Sequence, residues 1–191
     1  LHGIDKGYKS ILDGGPSKIS PFFIPSNPIT LQTGNLSILY GMKGPNLAFV
    51  TACTTGTHSI GDAGRIIEYG DADVMIAGGS EMATTPSGLG GFSSARALSS
   101  RNDDPKTASR PFDLTRDGFV IGEGSGILVL EELESARRRG APIVAEMVGY
   151  GMSADAFHIT MPEETGDGAF RAMEQTLADA GVRPEEVDYI N

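Results

Sequence analysis

An α/β fold is the class this sequence predicts, and three observations carry that reading. Short apolar runs at residues 47–50, 74–77 and 127–130 have the length and composition of buried strands. Apolar residues between and after them recur at helical spacing, as in Ile60, Ala63, Ile66 and Ile67. The resulting alternation of strand and helix implies parallel strands covered on both faces. At 191 residues with 39% apolar content, the chain is long enough to bury a core of this kind.

The elements follow in order. Residues 1–46 are punctuated by Gly14-Gly15-Pro16, Pro21, Pro25 and Pro28, so loops with one short helix at 31–40 are expected. Phe22-Phe23 reads as a loop anchor and Lys18 as a solvated charge. Gly44-Pro45 introduces the strand at 47–50, and a helix spans 54–69. The next strand, 74–77, ends at Gly78-Gly79. Its connection, 82–109, is long for a compact domain, and such loops are usually functional or disordered. Gly122-Glu123-Gly124-Ser125-Gly126 precedes the apolar run 127–130. A dinucleotide fingerprint needs the strand before the glycines, so these mark close backbone packing instead.

A helix over 131–139 carries acids first and Arg137-Arg138-Arg139 last, matching its dipole, and Gly140 stops it. A strand at 143–149 delivers the loop 151–162. Phe170, Met173, Leu177 and Ala180 make the apolar face of a last helix. Gly181 stops it, Pro184 turns the chain, and 187–190 reads as a final strand.

Chemistry gathers at Cys53, the one cysteine, which stands where a strand ends and a helix begins. Such a junction aims unpaired amides and the positive end of the helix dipole at a sulfur, favouring a thiolate. The same amides can hold a developing oxyanion. A lone cysteine is more often a small buried hydrophobe. Against that, Ala52, Thr54, Thr55 and Gly56 leave room for a carbonyl where aliphatic partners would otherwise pack, and the two readings stand even. His58 is near in sequence, but five residues turn about 140° around a helix, so it faces away. His158, in a loop with Asp155, is the best base that the residues alone offer.

The net charge of −10 and pI near 4.7 argue against nucleic acid or an anionic membrane as partner. One cysteine permits no internal disulfide, which fits a cytoplasmic protein. No apolar run is long enough to span a bilayer and no signal peptide is evident. No metal site and no resident cofactor are expected. Residues 96–110 set Arg96, Arg101, Lys106 and Arg110 against Asp103 and Asp104. That stretch reads as a solvated face or as a dock for an acidic partner.

Several motifs in sequence order carry a resemblance. They are Thr51-Ala52-Cys53-Thr54-Thr55-Gly56, then Gly70-Asp71-Ala72-Asp73 through Gly78-Gly79-Ser80-Glu81, Gly90-Gly91-Phe92, Arg110-Pro111-Phe112-Asp113, and Arg116-Asp117-Gly118-Phe119-Val120-Ile121-Gly122-Glu123-Gly124. Together they resemble the β-ketoacyl-[acyl-carrier-protein] synthases, most of all the type II condensing enzymes of bacterial fatty-acid synthesis. The resemblance implies a thiolase-like fold of αβαβα layers. Residues 1–191 would be its central part, ending the N-terminal half and starting the C-terminal half.

It further implies an acyltransferase that elongates fatty acids by decarboxylative Claisen condensation. Cys53 holds the acyl chain and malonyl-carrier protein supplies two carbons. The phosphopantetheine arm arrives on the acyl carrier protein, and the enzyme is a homodimer with the strand before Cys53 at its interface. By the same resemblance Phe23, Ala83, Gly88 and Phe92 belong to the acyl pocket, Phe23 reaching across the dimer interface. Asp155, His158 and Thr160 belong to the active-site entrance loop, and Lys18 and Arg96 to carrier-protein docking. The family's catalytic histidines and lysine are not among these residues, so the piece alone is expected to be inactive. Other readings are a thiolase-type enzyme using coenzyme A, a polyketide ketosynthase, and a non-catalytic partner subunit. Thr54-Thr55-Gly56 is closer to the fatty-acid form than to the serine-rich polyketide one, and the presence of Cys53 counts against the partner subunit.

Overall fold

A computed structural model describes residues 1–191, which divide into two compact units, Leu1–Leu130 and Glu131–Asn191. In the first unit the segment 1–46 is more helical than expected. It forms α1 (His2–Gly14), a 3₁₀ turn at Pro16–Lys18, α2 (Phe23–Ser26) and α3 (Thr30–Tyr40). The predicted helix is α3. The pattern of α1 is present in Ile4, Tyr8, Ile11 and Leu12, but three glycines of low helix propensity and the absence of a capping side chain obscure it. Tertiary packing supplies what propensity lacks, because Gly7 is buried directly under the Phe23 ring.

Residues 47–50 are not a strand. Nothing in the chain pairs with them, and without a ladder the apolar run stays open, Val50 being 69% exposed. The helix behind Cys53 is α4 (Thr55–Glu68), and it packs on β1 (Val74–Met82). Their contact is made of small residues. Ala63 and Ala77 are buried, and a Cβ on Gly79 would stand 3.2 Å from the Gly56 Cα. The Gly78 amide donates to Ser59 Oγ at 3.2 Å, tying the first turns of α4 to the strand.

The strand β1 runs through Gly78-Gly79 and pairs with β2 (Glu123–Glu131) in a two-stranded sheet. Of the glycines expected to precede the second strand, Gly124 and Gly126 lie inside it and Gly122 just before it, and a Cβ on any of the three would meet open space; the close approach requires glycine at Gly78 instead. Gly78 has φ 154°, and a Cβ there would run into the Gly126 carbonyl and stand 3.0 Å from Ile127 Cα. Coverage on both faces does not hold in this chain, since most of β2 is exposed. The connection 82–109 contains α5 (Pro86–Ser94), entered through Thr85, which accepts from the Gly88 amide at 3.1 Å, with Pro86 at the first helical position. That start signal is clear, whereas Gly88, Gly90 and Gly91 weaken the pattern after it.

In the second unit α6 (Leu133–Arg138) is capped by Glu132, whose carboxylate accepts from the Glu134 and Ser135 amides at 3.0 and 2.6 Å. Arg139 reaches back to Glu131 at 2.6 Å, and Arg137 bonds Glu134 and Glu146. Arg137 and Arg139 therefore serve the helix end and its flanks, as read. Residues 143–149 and 187–190 form no strand, again for want of a ladder partner.

The last helix, α7 (Asp167–Ala180), stops at Gly181 with φ 64°. Its packed side only partly matches the expected one. Leu177 and Ala180 are partly buried as expected, whereas Phe170 and Met173 are half exposed or more, and Ala172 and Thr176 join Ala180 in receiving the backbone of residues 149–151. The Tyr150 amide donates to Asp179 at 2.8 Å and the Met152 amide to Gln175 at 3.3 Å. Gly149 and Gly151 permit this approach: a Cβ on Gly149 would stand 2.5 Å from the Thr176 carbonyl. No helix is long and apolar enough to cross a membrane.

Candidate active site

Cys53 sits in a 3₁₀ turn, Ala52–Thr54, that opens into α4, and it is exposed. Ala52, immediately before it, adopts φ 51°, a left-handed conformation that costs an L-residue with a Cβ about 1–2 kcal/mol. Strain of this kind persists only where the surroundings enforce it. Here the enforcement comes from hydroxyl side chains. Thr55 Oγ1 accepts from the Thr51 amide at 2.9 Å and donates to the Ala52 carbonyl at 2.8 Å, closing a loop around Ala52 and Cys53. Thr54 Oγ1 donates to the Thr51 carbonyl at 2.7 Å.

That last bond has a second effect. Thr54 is the N-cap of α4, yet its hydroxyl is turned back to Thr51 and caps no helical amide. No side chain caps the mouth of α4, and its first amide, that of Thr55, donates to the Ala52 carbonyl inside the cysteine turn. An exposed sulfur at the N-terminal end of a helix is suited to attack a thioester carbonyl.

His58 Nδ1 lies 2.8 Å from Thr51 Oγ1, on the far arm of the same turn. The sequence argument against a base role rested on helix geometry, and the structure gives this side chain a bracing contact that the argument did not foresee.

The candidate pocket residues separate into two places. Ala83 and Gly88 are buried and touch, the Cβ position of Gly88 being occupied by the Ala83 carbonyl. Phe92 follows Gly88 by one turn of α5 and meets Phe119 edge to face, with ring centroids 6.1 Å apart and planes at 76°. Phe23, the first residue of α2 and not part of a loop, lies over Gly7 of α1. Phe119 was not singled out from the sequence, where it stood only within the motif Arg116–Gly124.

Lys18 is exposed, its stem along Gly14. Arg96 is exposed at the end of α5 with φ 54°.

Asp155, His158 and Thr160 belong to the second unit and share one loop. Asp155 Oδ2 accepts from the Glu163 amide at 3.0 Å, and its other oxygen presses on Gly168. His158 Nδ1 accepts from the Thr160 and Met161 amides at 3.2 and 3.0 Å. In that arrangement the neutral ring carries its proton on Nε2. Nearby, the Thr165 hydroxyl holds the Glu163 carboxyl below the usual carboxylate range. The chain gathers no group of three or more His, Cys, Asp or Glu side chains that could hold a metal ion.

Comparison with known proteins follows from this geometry. The family described as Beta-ketoacyl synthase, N-terminal domain, matches residues 3–136, and its C-terminal domain matches residues 144–191. The chain is 56% identical over 191 residues to the 3-oxoacyl-[acyl-carrier-protein] synthase 2 of Vibrio cholerae, covering 100% of this chain and 46% of that protein. Identity to the protein of the same name from Coxiella burnetii is 57% over 188 residues, covering 98% and 45%. A solved type II polyketide ketosynthase, bound to the hexaketide and in complex with its acyl-carrier protein, superposes with a TM-score of 0.95. Its identity is 36%, with 99% of this chain and 48% of that chain covered. The chain thus spans about half the length of the curated relatives it matches.

Proposed function

The chain belongs to the β-ketoacyl synthase family and has its thiolase-like fold, and from that premise we propose that Cys53 is the nucleophile of a decarboxylative Claisen condensation that elongates fatty acids. The observation that carries the proposal is the exposed sulfur on a strained turn at the uncapped mouth of α4.

In this reading the Cys53 sulfur attacks the thioester carbonyl of an acyl chain delivered on an acyl carrier protein. The carbonyl oxygen takes negative charge, with the Cys53 amide as one donor to it, and collapse expels the carrier's thiol. Malonyl-carrier protein then loses carbon dioxide, leaving a carbanion at its α-carbon. That carbon attacks the Cys53 thioester, the Cys53–carbonyl bond breaks, and a β-ketoacyl product two carbons longer leaves on the carrier. No base among these residues is assigned to the decarboxylation. Phe92, Ala83 and Gly88 form part of the acyl pocket, Phe23 serves the pocket of a second copy in a homodimer, and the Asp155–Thr160 loop flanks the entrance. Lys18 and Arg96 meet the acidic carrier, and the protein works in the cytoplasm. The high identity to proteins named 3-oxoacyl-[acyl-carrier-protein] synthase 2 supports the substrate class.

A second reading, polyketide extension, is favoured by the superposition on a polyketide ketosynthase at lower identity. The test is acyl transfer to the protein as encoded, from acyl-carrier protein and from acyl-coenzyme A, followed by mass analysis of the peptide holding Cys53. The expected result is an acylated Cys53 peptide, formed faster from the carrier. A sulfur that stays free with both donors sinks the nucleophile assignment. Extension of the acyl-enzyme to one β-ketoacyl product, without repeated ketide addition, separates the two substrate readings.

A further inference from the structure

One carboxylate in the first unit draws two distant stretches together. Asp117 Oδ1 accepts from the Ser99 hydroxyl at 2.6 Å, and Oδ2 accepts from the Ser100 amide at 3.0 Å and the Ser100 hydroxyl at 3.3 Å. Arg101 Nε lies 3.5 Å from Oδ1. Two residues later the backbone repeats the connection. Phe119 pairs in parallel with Leu98, the Ser99 amide donating to the Phe119 carbonyl at 2.9 Å and the Phe119 amide to the Ala97 carbonyl at 2.8 Å.

Between the two fastenings stands Gly118, at φ 150°, where a Cβ would stand 2.5 Å from the Ser99 nitrogen. Register along 117–119 therefore has no slack. Its output is the Phe119 ring, held edge-on to Phe92. Leu89, Leu98, Ser99, Arg101 and Phe119 also line one cavity of about 220 Å³, so open volume adjoins the ring. A released Phe119 has somewhere to go.

We propose that Asp117 is a positioning residue for acyl chain length, fixing Phe119 against Phe92 so that the aromatic pair closes the pocket wall at a set depth. The inference rests on the reading of Phe92 as a wall of the acyl pocket. Short acyl groups end before the pair and are indifferent to it, whereas long ones press on it.

The experiment compares kcat/KM for a butyryl and a dodecanoyl donor in the protein as encoded, with and without Asp117→Ala. The expected result is a rise of about tenfold in the long-to-short ratio, a change in differential transition-state binding. An equal change at both lengths, or none, overturns the proposal, because loss of general stability does not discriminate between donors. Should Asp117→Ala fail to fold, the double variant Ser99→Ala with Ser100→Ala removes the hydroxyl donors and is judged by the same ratio. Phe92→Ala run in parallel tells two failures apart. A profile altered by Phe92→Ala but not by the clamp variants overturns the clamp and keeps the pocket. A profile indifferent to Phe92→Ala overturns the pocket on which the clamp depends.

Discussion

Gly56 of α4 and Gly79 of β1 meet backbone to backbone, so closely that a Cβ on Gly79 would lie 3.2 Å from the Gly56 Cα. The helix mouth that carries Cys53 is thereby seated on the strand with nothing between them.

Gly79→Val is expected to push α4 off β1, costing about 1–3 kcal/mol through overpacking. Urea unfolding measures the loss. Alkylation of Cys53 by iodoacetamide should change rate in the same variant, because the turn moves with the helix; an unchanged rate detaches the turn from the contact.

Ala52→Gly removes the left-handed penalty at φ 51° and adds backbone entropy to the unfolded chain. The two nearly cancel, so stability should move by less than about 1 kcal/mol. Acyl transfer to Cys53 should still fall, since a glycine no longer holds the turn in one conformation. Full acyl transfer in that variant would show that the strain serves nothing.

His58→Leu deletes the contact with Thr51 Oγ1 and should cost about 0.5–1.5 kcal/mol. If His58 braces the turn and moves no proton, the pH profile of Cys53 alkylation keeps its shape in the variant while its amplitude drops. A profile that loses an inflection would restore the histidine as a base.

Acid should destabilise the fold. The Ser99 hydroxyl bond holds Asp117 below its ordinary value of 3.8, and the Arg139 side chain does the same for Glu131 relative to 4.5. A carboxyl depressed in the folded state stabilises it fully above the unfolded value and loses that contribution as pH falls through the folded value. Unfolding midpoints should therefore be level down to about pH 5 and decline below about pH 4.5. Asp117→Asn should flatten the lower part of that decline; an identical curve would place its stabilising partners elsewhere.

Much of the site's frame was legible in the sequence. The apolar spacing of Ile60, Ala63, Ile66 and Ile67 gave α4, and Cys53 falls at its mouth as expected. The Gly-rich approach to residues 127–130 was read as close backbone packing, but the position that needs a glycine there is Gly78 on the neighbouring strand, against the Gly126 carbonyl. What stayed hidden depends on partners far along the chain. Residues 47–50 have strand composition but no ladder, and α1 is held by a phenylalanine sixteen positions from Gly7. The clamp at Asp117 joins residues eighteen apart, a separation at which neither periodicity nor turn chemistry speaks.

The open run at residues 47–50 has a practical outcome for anyone handling these 191 residues by themselves. Hydrophobic side chains with no sheet to join invite a neighbouring molecule to supply one, and that attraction persists in salt because it owes nothing to charge. Such a preparation should turn cloudy with increasing concentration, and a lysine introduced at Val50 should keep it clear.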